Sequence, residues 1–302
     1  MEENFIYIAE DTAKAIIYNQ FPDFSGVAIR KNSIQGHDHT VFRIGKKHIA
    51  AFPNAKKYGE RIQQLSQFLS QIKLKISIQI SEILKIGAPA HGYPFLWSIS
   101  TFIEGESANL CFEAIDLNKF TIDLSTVLNE FKMISMETVS LFPGKENWYR
   151  GGDLAEYNHQ VIEAFGILKN TINYEILYKI WLKALGSSWQ LKPIFVHGDI
   201  ALGNLIVKDK KLCGIIDFGT MCVGDPACDL MIAFTVFSQE NRKIFKKELD
   251  YDRNTWYRAM GLTLWKALIE YAELSKSCAR DWQEPAKVID EIINEYNITQ
   301  NG

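Results

Sequence analysis

The segment 194–219 constrains the fold of this chain most strongly, because three short apolar runs in it each border a polar residue. These polar residues are Asp199, Asn204 and Asp217. The turn sequence KDKK separates the second apolar run from the third, which predicts a β-hairpin. Gly198 allows a tight backbone path that projects Asp199 from a loop. We therefore expect the three polar side chains to converge on one small volume.

The residue types in this segment suit magnesium-dependent phosphoryl transfer. Mg²⁺ prefers oxygen ligands, and proteins usually bind it through one or two carboxylates together with substrate phosphates. Asn204 and Asp217 offer such oxygens, which leaves Asp199 free to accept a hydroxyl proton. The prediction depends on the joint spacing of H-G-D-x-x-x-x-N and I-D-F-G, because D-F-G alone is a weak signal. Phosphoryl transfer needs little beyond positioning and charge neutralisation.

The same segment resembles the aminoglycoside phosphotransferase family, a branch of the kinase-like fold. The motifs that carry the resemblance are HGD at 197–199, GN at 203–204, IDFG at 216–219 and GDPACDL at 224–230. The resemblance implies that Asp199 is the catalytic base and that Asn204 and Asp217 bind Mg²⁺. His197 joins the catalytic candidates as the residue that orients the loop, with a buried core histidine as the alternative. Asp229 is expected to brace the loop from a buried position.

Hydrophobic periodicity in the remaining sequence predicts two lobes joined by a hinge. The elements expected in the first lobe are a helix over 5–20, antiparallel strands between 27 and 52, a helix over 60–72, and strands near 81–86 and 95–102. Residues 117–189 and 229–302 have mainly helical spacing. With the resemblance, this implies an α+β, bilobal, protein-kinase-like fold. A small antiparallel-sheet N-lobe (1–103) precedes a larger helical C-lobe (104–302), with the hinge near 98–104.

The resemblance also assigns positions that bind the nucleotide donor, ATP or GTP. Gly36 opens the turn GHDHTVFRIG, whose backbone amides would face the triphosphate. The backbone around Thr101 and Ile103 would contact the edge of the base. Ile216, which directly precedes Asp217, is the fourth position assigned to nucleotide binding.

The sequence departs from the family pattern at Ala51. The family usually has Lys or Arg there to contact the phosphates, which an alanine side chain cannot do. The position of its acidic partner is also unclear, and the candidates are Glu60, Arg61 and Ile62. Three interpretations stay open. Another cation reaches the phosphates, the candidates being Lys46, Lys56 and Lys57. Alternatively, the enzyme binds nucleotide weakly, or the protein is a degenerate member that binds ligand without efficient catalysis.

Acidic side chains are the candidates for recognising the acceptor. Amino sugars are polycations, so we expect acidic residues to line their cleft. The candidates are Asp153, Glu156, Glu270 and Glu273. The last two also fit an ordinary solvated helix face. An aminoglycoside-type antibiotic is the first expectation for the hydroxylated acceptor, and macrolides and ordinary metabolites stay open.

Composition and charge argue against other classes of partner. The net charge of −3 and the lack of a long basic run argue against nucleic acid binding. No apolar run approaches the about 18 residues of a membrane span. Five irregularly spaced cysteines, with no signal peptide before them, predict a cytoplasmic protein with reduced thiols. No A-P-E follows DFG, which argues against a protein kinase. The oligomeric state is left open.

Overall fold

The computed structural model describes residues 5–33, 35–135, 141–277 and 283–301, and its packing divides the chain into two compact units. The first unit comprises Met1–Ile115 and Leu202–Gly219, and the second comprises Asp116–Ala201 and Thr220–Gly302. Residues 202–219 belong with the first unit because their strands pair with strands of that unit. The lobe boundary expected at 103–104 stays a prediction. Cys278, one of the cysteines expected to be reduced, lies outside the described residues.

The first unit contains a five-stranded antiparallel sheet. Its strands are β1 (Ile29–Lys31), β2 (His39–Ile44), β3 (His48–Pro53), β5 (Ile83–Gly87) and β6 (Trp97–Thr101). They are arranged in the order β1-β2-β3-β6-β5. The antiparallel strands predicted between 27 and 52, and those predicted near 81–86 and 95–102, are thereby confirmed.

Three helices accompany this sheet. They are α1 (Glu10–Gln20), α2 (Lys56–Gly59) and α3 (Ile62–Ile72). The prediction of a helix from residue 5 was wrong by five residues, because the backbone N–H of Ile6 donates to Asn54 O at 2.8 Å and draws the segment along the end of β3. Glu10 and Asp11 occupy the first turn of α1, where acidic side chains favour a helix N-terminus.

A second sheet in the first unit explains the placement of 202–219. Its strands are β4 (Gln79–Ile80), β7 (Glu106–Ser107), β9 (Leu205–Lys208) and β10 (Lys211–Ile215), in the order β4-β10-β9-β7. The predicted hairpin is confirmed as β9 and β10. Asp209 and Lys210 at its turn both have positive φ, at 52° and 64°, as a two-residue hairpin turn requires.

The core of the first unit lies on one face of the five-stranded sheet. In β2 every second residue is buried, so that Phe42 and Ile44 enter the core. Phe52 of β3 stacks on Trp97 of β6 with ring centroids 4.6 Å apart. Since strand side chains alternate between faces, Ala51 faces away from this core. The sheet therefore presents Ala51 on its second face.

The second unit is mainly helical, as the sequence predicts. Its helices are α4 (Leu117–Lys132), α5 (Asn158–Leu168), α6 (Tyr174–Leu185), α7 (Ile232–Thr235), α8 (Gln239–Leu249), α9 (Arg253–Ser277) and α10 (Gln283–Asn301). The short strands β8 (Ile194–Val196) and β11 (Cys222–Gly224) pair antiparallel. The predicted α+β class, with a small antiparallel sheet and a larger helical part, is confirmed. Within the described ranges, no helix combines the length and the apolar character needed to cross a membrane.

A buried ion pair connects α9 to the turn that follows β11. Arg258 Nε donates to Asp225 Oδ2 at 2.6 Å and Arg258 Nη2 donates to Asp225 Oδ1 at 3.2 Å. Both side chains are almost fully buried. Asp225 Oδ1 also accepts from the backbone N–H of Ala227 at 3.0 Å. Asp225 thus has a structural role in this unit.

Replacing Arg258 with methionine is expected to lower the free energy of unfolding by about 3–5 kcal/mol, because it leaves the Asp225 carboxylate buried without its partner. Urea unfolding monitored by tryptophan fluorescence measures the change. Lys276→Met, at an exposed position of the same helix, is the matched control and is expected to leave stability nearly unchanged. Equal stabilities of Arg258→Met and this control would contradict the prediction.

Candidate active site

The HGD loop (residues 197–199) follows β8 in the second unit, and hydrogen bonds fix its backbone. The Asp229 carboxylate accepts from the backbone N–H of His197 at 2.7 Å and from that of Gly198 at 2.7 Å. On the other side, Thr220 Oγ1 donates to His197 O at 3.0 Å. Asp229 is only 3% exposed. These contacts agree with the bracing role expected of Asp229.

Glycine is required at position 198 for two independent reasons. Its φ is +85°, a conformation that side chains with a Cβ adopt at a cost. In addition, a Cβ at this position would lie 2.7 Å from Thr220 O, which is closer than atoms pack. Asp199 therefore follows a backbone turn that only glycine fits well, and its own side chain remains partly exposed.

His197 is fully buried and contacts the backbone of the residue predicted to be the base. Its Nδ1 accepts from the backbone N–H of Asp199 at 3.2 Å. A ring nitrogen that accepts must be unprotonated, so this contact requires the neutral imidazole with its proton on Nε2. The geometry supports an orienting role rather than proton transfer by His197 itself.

Burial raises the pKa of the Asp229 carboxyl to about 7; the charge of Asp199 adds to the rise, and the backbone N–H groups of His197 and Gly198 oppose it. An unfolded aspartate has a pKa of about 3.9. Between these values the native state binds more protons than the unfolded state. The contribution of Asp229 to stability is therefore fully present below about pH 4 and is lost as the pH rises towards 7.

We expect the Asp229→Asn variant to lack this pH dependence. The difference in unfolding free energy between wild type and variant should shrink by up to about 4 kcal/mol as the pH rises from 4 to 7. Urea unfolding of both proteins at several pH values measures it, and groups that titrate in both proteins cancel in the difference. A difference that stays constant with pH would show that Asp229 titrates at its ordinary value.

The two predicted magnesium ligands are neighbours in the first unit. Asn204 ends the short 3₁₀ turn Leu202–Asn204 that leads into β9, and Asp217 follows β10. The backbone N–H of Ile216 donates to Asn204 O at 2.9 Å. The hairpin thus places Asn204 beside Asp217, as the sequence predicts. The convergence of Asp199 with this pair stays a prediction, since Asp199 belongs to the second unit.

Asp217 has a backbone conformation that is uncommon for a residue with a side chain. Its φ is +63°. Strained backbone of this kind persists only where surrounding contacts impose it, and it is concentrated at functional sites. The backbone N–H of Gly219 makes a weak contact with Asp217 Oδ1 at 3.4 Å. The DFG loop (residues 217–219) thus turns sharply after β10, with the Asp217 side chain exposed.

The chemistry of this pair fits magnesium. Asn204 and Asp217 supply one amide oxygen and one carboxylate, which suits an ion that completes its shell with water and substrate phosphates. The described residues contain no group of three or more His, Cys, Asp or Glu side chains arranged to hold a metal.

Ser107 supports the turn before Asn204, a role that sequence reasoning missed. Its Oγ lies 2.8 Å from Gly203 O and 3.2 Å from Leu202 O, and its hydroxyl hydrogen can serve either carbonyl. Ser107 belongs to β7, which pairs with β9. The two segments are about a hundred residues apart in sequence, so no local pattern could have indicated this contact.

The surroundings of Ala51 show which cations share its sheet face. Ala51 pairs with Val41 of β2, and Arg43 lies two residues further along the same face. The Arg43 guanidinium lies 3.0 Å from the centre of the Phe102 ring. The lysines considered as substitutes, Lys46, Lys56 and Lys57, are exposed. Arg43 is therefore the partly buried cation that the register places on this face.

Among the candidates for the acidic partner, the structure separates Glu60 from Arg61. Glu60 is exposed, and its carboxylate lies 3.9 Å from Lys56 Nζ, which is also exposed. Arg61 is buried, with 8% of its surface exposed, and Ile62 is buried in the core. Of the three candidates, the one acid, Glu60, is thus exposed, and the two buried residues are not acids.

The four nucleotide-binding candidates all lie in the first unit. Gly36 is exposed in the turn before β2, and Ile216 is the hydrogen-bonded neighbour of Asn204. The backbone N–H of Thr101 donates to Glu82 O, and Thr101 O accepts from Ser81 Oγ, so both groups already have partners. Ile103 is buried, and its methyl groups pack where a side chain at Gly214 would otherwise lie.

The candidates for acceptor binding are exposed and belong to the second unit. Asp153 caps the 3₁₀ turn Leu154–Tyr157, accepting from the backbone N–H of Ala155 at 2.9 Å. Glu156, Glu270 and Glu273 are exposed. The contacts of Asp153 therefore favour a local structural role. The aromatic residues of α9 are buried, as expected for core residues.

The chain belongs to the phosphotransferase enzyme family, since the APH model of that family matches residues 30–265. The chain is similar in structure to aminoglycoside 2'-phosphotransferase-IIIa in its GDP complex, with a TM-score of 0.71 and 13% identity over 96% of this chain and 100% of the other. The chain is also similar to the gentamicin complex of APH(2'')-IIa, with a TM-score of 0.62 and 19% identity over 95% of this chain and 97% of the other.

A macrolide phosphotransferase is similar to a comparable degree. Macrolide 2'-phosphotransferase MphH from Brachybacterium faecium gives a TM-score of 0.64 and 13% identity over 94% of this chain and 98% of the other. None of the curated proteins compared with the chain matches it. At such low identities the structural similarity establishes the kinase-like fold, and the family match establishes the family.

Proposed function

We propose that this protein transfers the γ-phosphate of ATP or GTP to a hydroxyl group of a small molecule. The observation that carries the proposal is the placement of Asn204 beside Asp217 by the hydrogen bond between Ile216 and Asn204. The pair offers magnesium ligands at the end of a fixed hairpin, and Asp199 lies five residues before Asn204 in the chain. Membership in the phosphotransferase enzyme family supports the same reaction.

In the proposed reaction, Asp199 accepts the proton of the acceptor hydroxyl. The acceptor oxygen then bonds to the γ-phosphorus as the bond from that phosphorus to the nucleoside diphosphate breaks. Asp229, His197 and Gly198 keep the backbone of Asp199 in place, which contributes positioning, the main requirement of this chemistry. Asn204 and Asp217 would hold Mg²⁺, which neutralises phosphate charge when bound.

The identities of donor and acceptor belong to the proposal. The structural similarity to a GDP complex supports a purine nucleotide as donor, and ATP and GTP both remain candidates. The similarity to a gentamicin complex supports an aminoglycoside-type acceptor, while the similarity to MphH keeps macrolides as an alternative. The cytoplasmic location expected from the sequence stays a prediction, and a role in antibiotic resistance is left open.

A coupled assay of nucleotide turnover tests the proposal. ATP and GTP are supplied in parallel with Mg²⁺ and a panel of aminoglycosides, macrolides and simple amino-alcohols. We expect turnover that requires an acceptor and is lost on chelation of the metal. Turnover that is equal with and without every acceptor would contradict the proposal.

A protein that binds nucleotide without efficient catalysis is the second candidate, and Ala51 is the observation that favours it. A side chain that cannot contact phosphate stands where the family has a cation. This alternative predicts nucleotide binding in calorimetry together with no phosphorylated product from any acceptor. Efficient turnover of one acceptor would exclude it.

A further inference from the structure

Arg61 connects the start of α3 to the DFG loop within the first unit. Its Nη1 donates to Gly219 O at 3.0 Å, between residues 158 positions apart in sequence. The side chain is buried, with 8% of the residue exposed. A buried guanidinium is costly to place unless it forms hydrogen bonds. The guanidinium that makes this contact is therefore largely removed from solvent.

The position of Arg61 opposes the local preferences of a helix. Arg61 is the N-cap residue of α3 and provides no side-chain cap. Helix N-termini favour Ser, Thr, Asp or Asn at this position, and they disfavour positive charge because the helix dipole is positive there. A residue that breaks two local rules is expected where a functional contact compensates. The contact with Gly219 provides that compensation.

The DFG loop is the segment that Arg61 contacts. Asp217 has a φ of +63°, and the backbone N–H of Gly219 contacts its Oδ1 at 3.4 Å. A charged donor on the carbonyl of Gly219 gives a stronger hydrogen bond than a neutral donor would. Arg61 thereby restrains the residue two positions after Asp217. The strained backbone at Asp217 is thus fixed from its C-terminal side.

The contact between Arg61 and Gly219 also bears on the departure from the family pattern at Ala51. A cation on β3 and an acid on the following helix would form a pair, but here β3 has Ala51, and Arg61 at the start of α3 is a buried base. An arginine at 61 instead reaches the DFG loop directly.

We propose that Arg61 is a positioning residue that holds the DFG loop in the conformation in which Asp217 binds the magnesium–nucleotide complex. The proposal rests on the proposed function, since it assumes nucleotide binding with Mg²⁺. It assigns Arg61 a role through Asp217 rather than a contact with substrate. Magnesium-dependent nucleotide binding should accordingly depend on Arg61 more than nucleotide binding without metal does.

The test is a titration with fluorescent ADP and GDP analogues, in excess MgCl₂ and in EDTA, for the wild type, Arg61→Met and Arg61→Lys. Lys75→Met is the matched control, because Lys75 is an exposed cation just beyond the other end of α3. In the wild type, Mg²⁺ should raise the affinity for the nucleotide analogue. We expect this increase to be about tenfold smaller in Arg61→Met. Its affinity in EDTA should stay within about twofold of the control. Arg61→Lys, which keeps a charged donor, should recover part of the loss.

The outcomes separate the inference from the function on which it rests. Equal losses in MgCl₂ and EDTA, or no loss, would overturn the positioning role while leaving the proposed function intact. A wild type that binds neither analogue would overturn the proposed function and this inference with it. If Arg61→Met does not fold, as urea unfolding would show, Arg61→Gln takes its place, since it keeps a neutral donor and removes the charge.

Discussion

Replacing Asp199 with asparagine is expected to lower kcat for phosphotransfer by about 10²–10⁴-fold. The amide has nearly the shape of the carboxylate but cannot accept the proton of the acceptor hydroxyl. The backbone N–H of Asp199 donates to His197 Nδ1 and that of Gly198 donates to Asp229, and the substitution changes neither of these hydrogen bonds. The substitution should therefore remove the base while leaving the loop in place. Steady-state kinetics with the acceptor found in the panel measures the loss.

Two further measurements make the result for Asp199→Asn specific. The KM for nucleotide should change little, because the proton acceptor contributes to the transition state more than to binding. Asp209→Asn is the matched control, since Asp209 lies in the β9–β10 turn at a φ of +52°, which asparagine also tolerates. The control should retain wild-type kcat. Full activity of Asp199→Asn would exclude Asp199 as the base.

Replacing Asp217 with asparagine is expected to lower kcat by about 10²-fold or more at a magnesium concentration that saturates the wild type. The variant loses a carboxylate ligand, and neutralisation of phosphate charge weakens with it. Asparagine adopts positive φ more readily than most residues, so the backbone at +63° should survive the change. The loss of kcat can thus be assigned to the missing charge rather than to a change in folding.

The dependence of rate on magnesium concentration is the measurement that checks the role of Asp217. The curve for Asp217→Asn should shift to higher magnesium, and added metal should recover part of the activity. Asp209→Asn again serves as control, because it removes a carboxylate from the same hairpin. Identical magnesium dependence in Asp217→Asn and wild type would show that another residue binds the metal.

Local patterns predicted the elements of the fold well. Alternating apolar residues specified β2 and β3, and the KDKK turn between two apolar runs specified the β9–β10 hairpin. The placement of Asn204 beside Asp217 followed from that hairpin alone. Where the prediction failed, as at the start of α1, the cause was a hydrogen bond from Ile6 to a residue in another element. Helical spacing at 5–9 carries no information about such a partner.

The parts of the site that the sequence could not predict depend on contacts between distant segments. Ser107 and Arg61 both contact carbonyl groups about a hundred or more residues away in the chain. The sequence spacing could not tell which of Glu60 and Arg61 is buried at the start of α3. The structure shows that Arg61 is buried and Glu60 is exposed. The need for glycine at 198 was predicted from backbone freedom, but its close approach to Thr220 O emerged only from the packing.

The most direct test of the proposed activity is mass spectrometry of the acceptor after incubation with enzyme, magnesium and γ-¹⁸O-labelled ATP or GTP. The proposal predicts an acceptor that has gained one phosphoryl group carrying the label, formed by the wild type and reduced to trace amounts in Asp199→Asn. Labelled inorganic phosphate as the sole product, with every acceptor unchanged, would contradict the assignment as a small-molecule phosphotransferase.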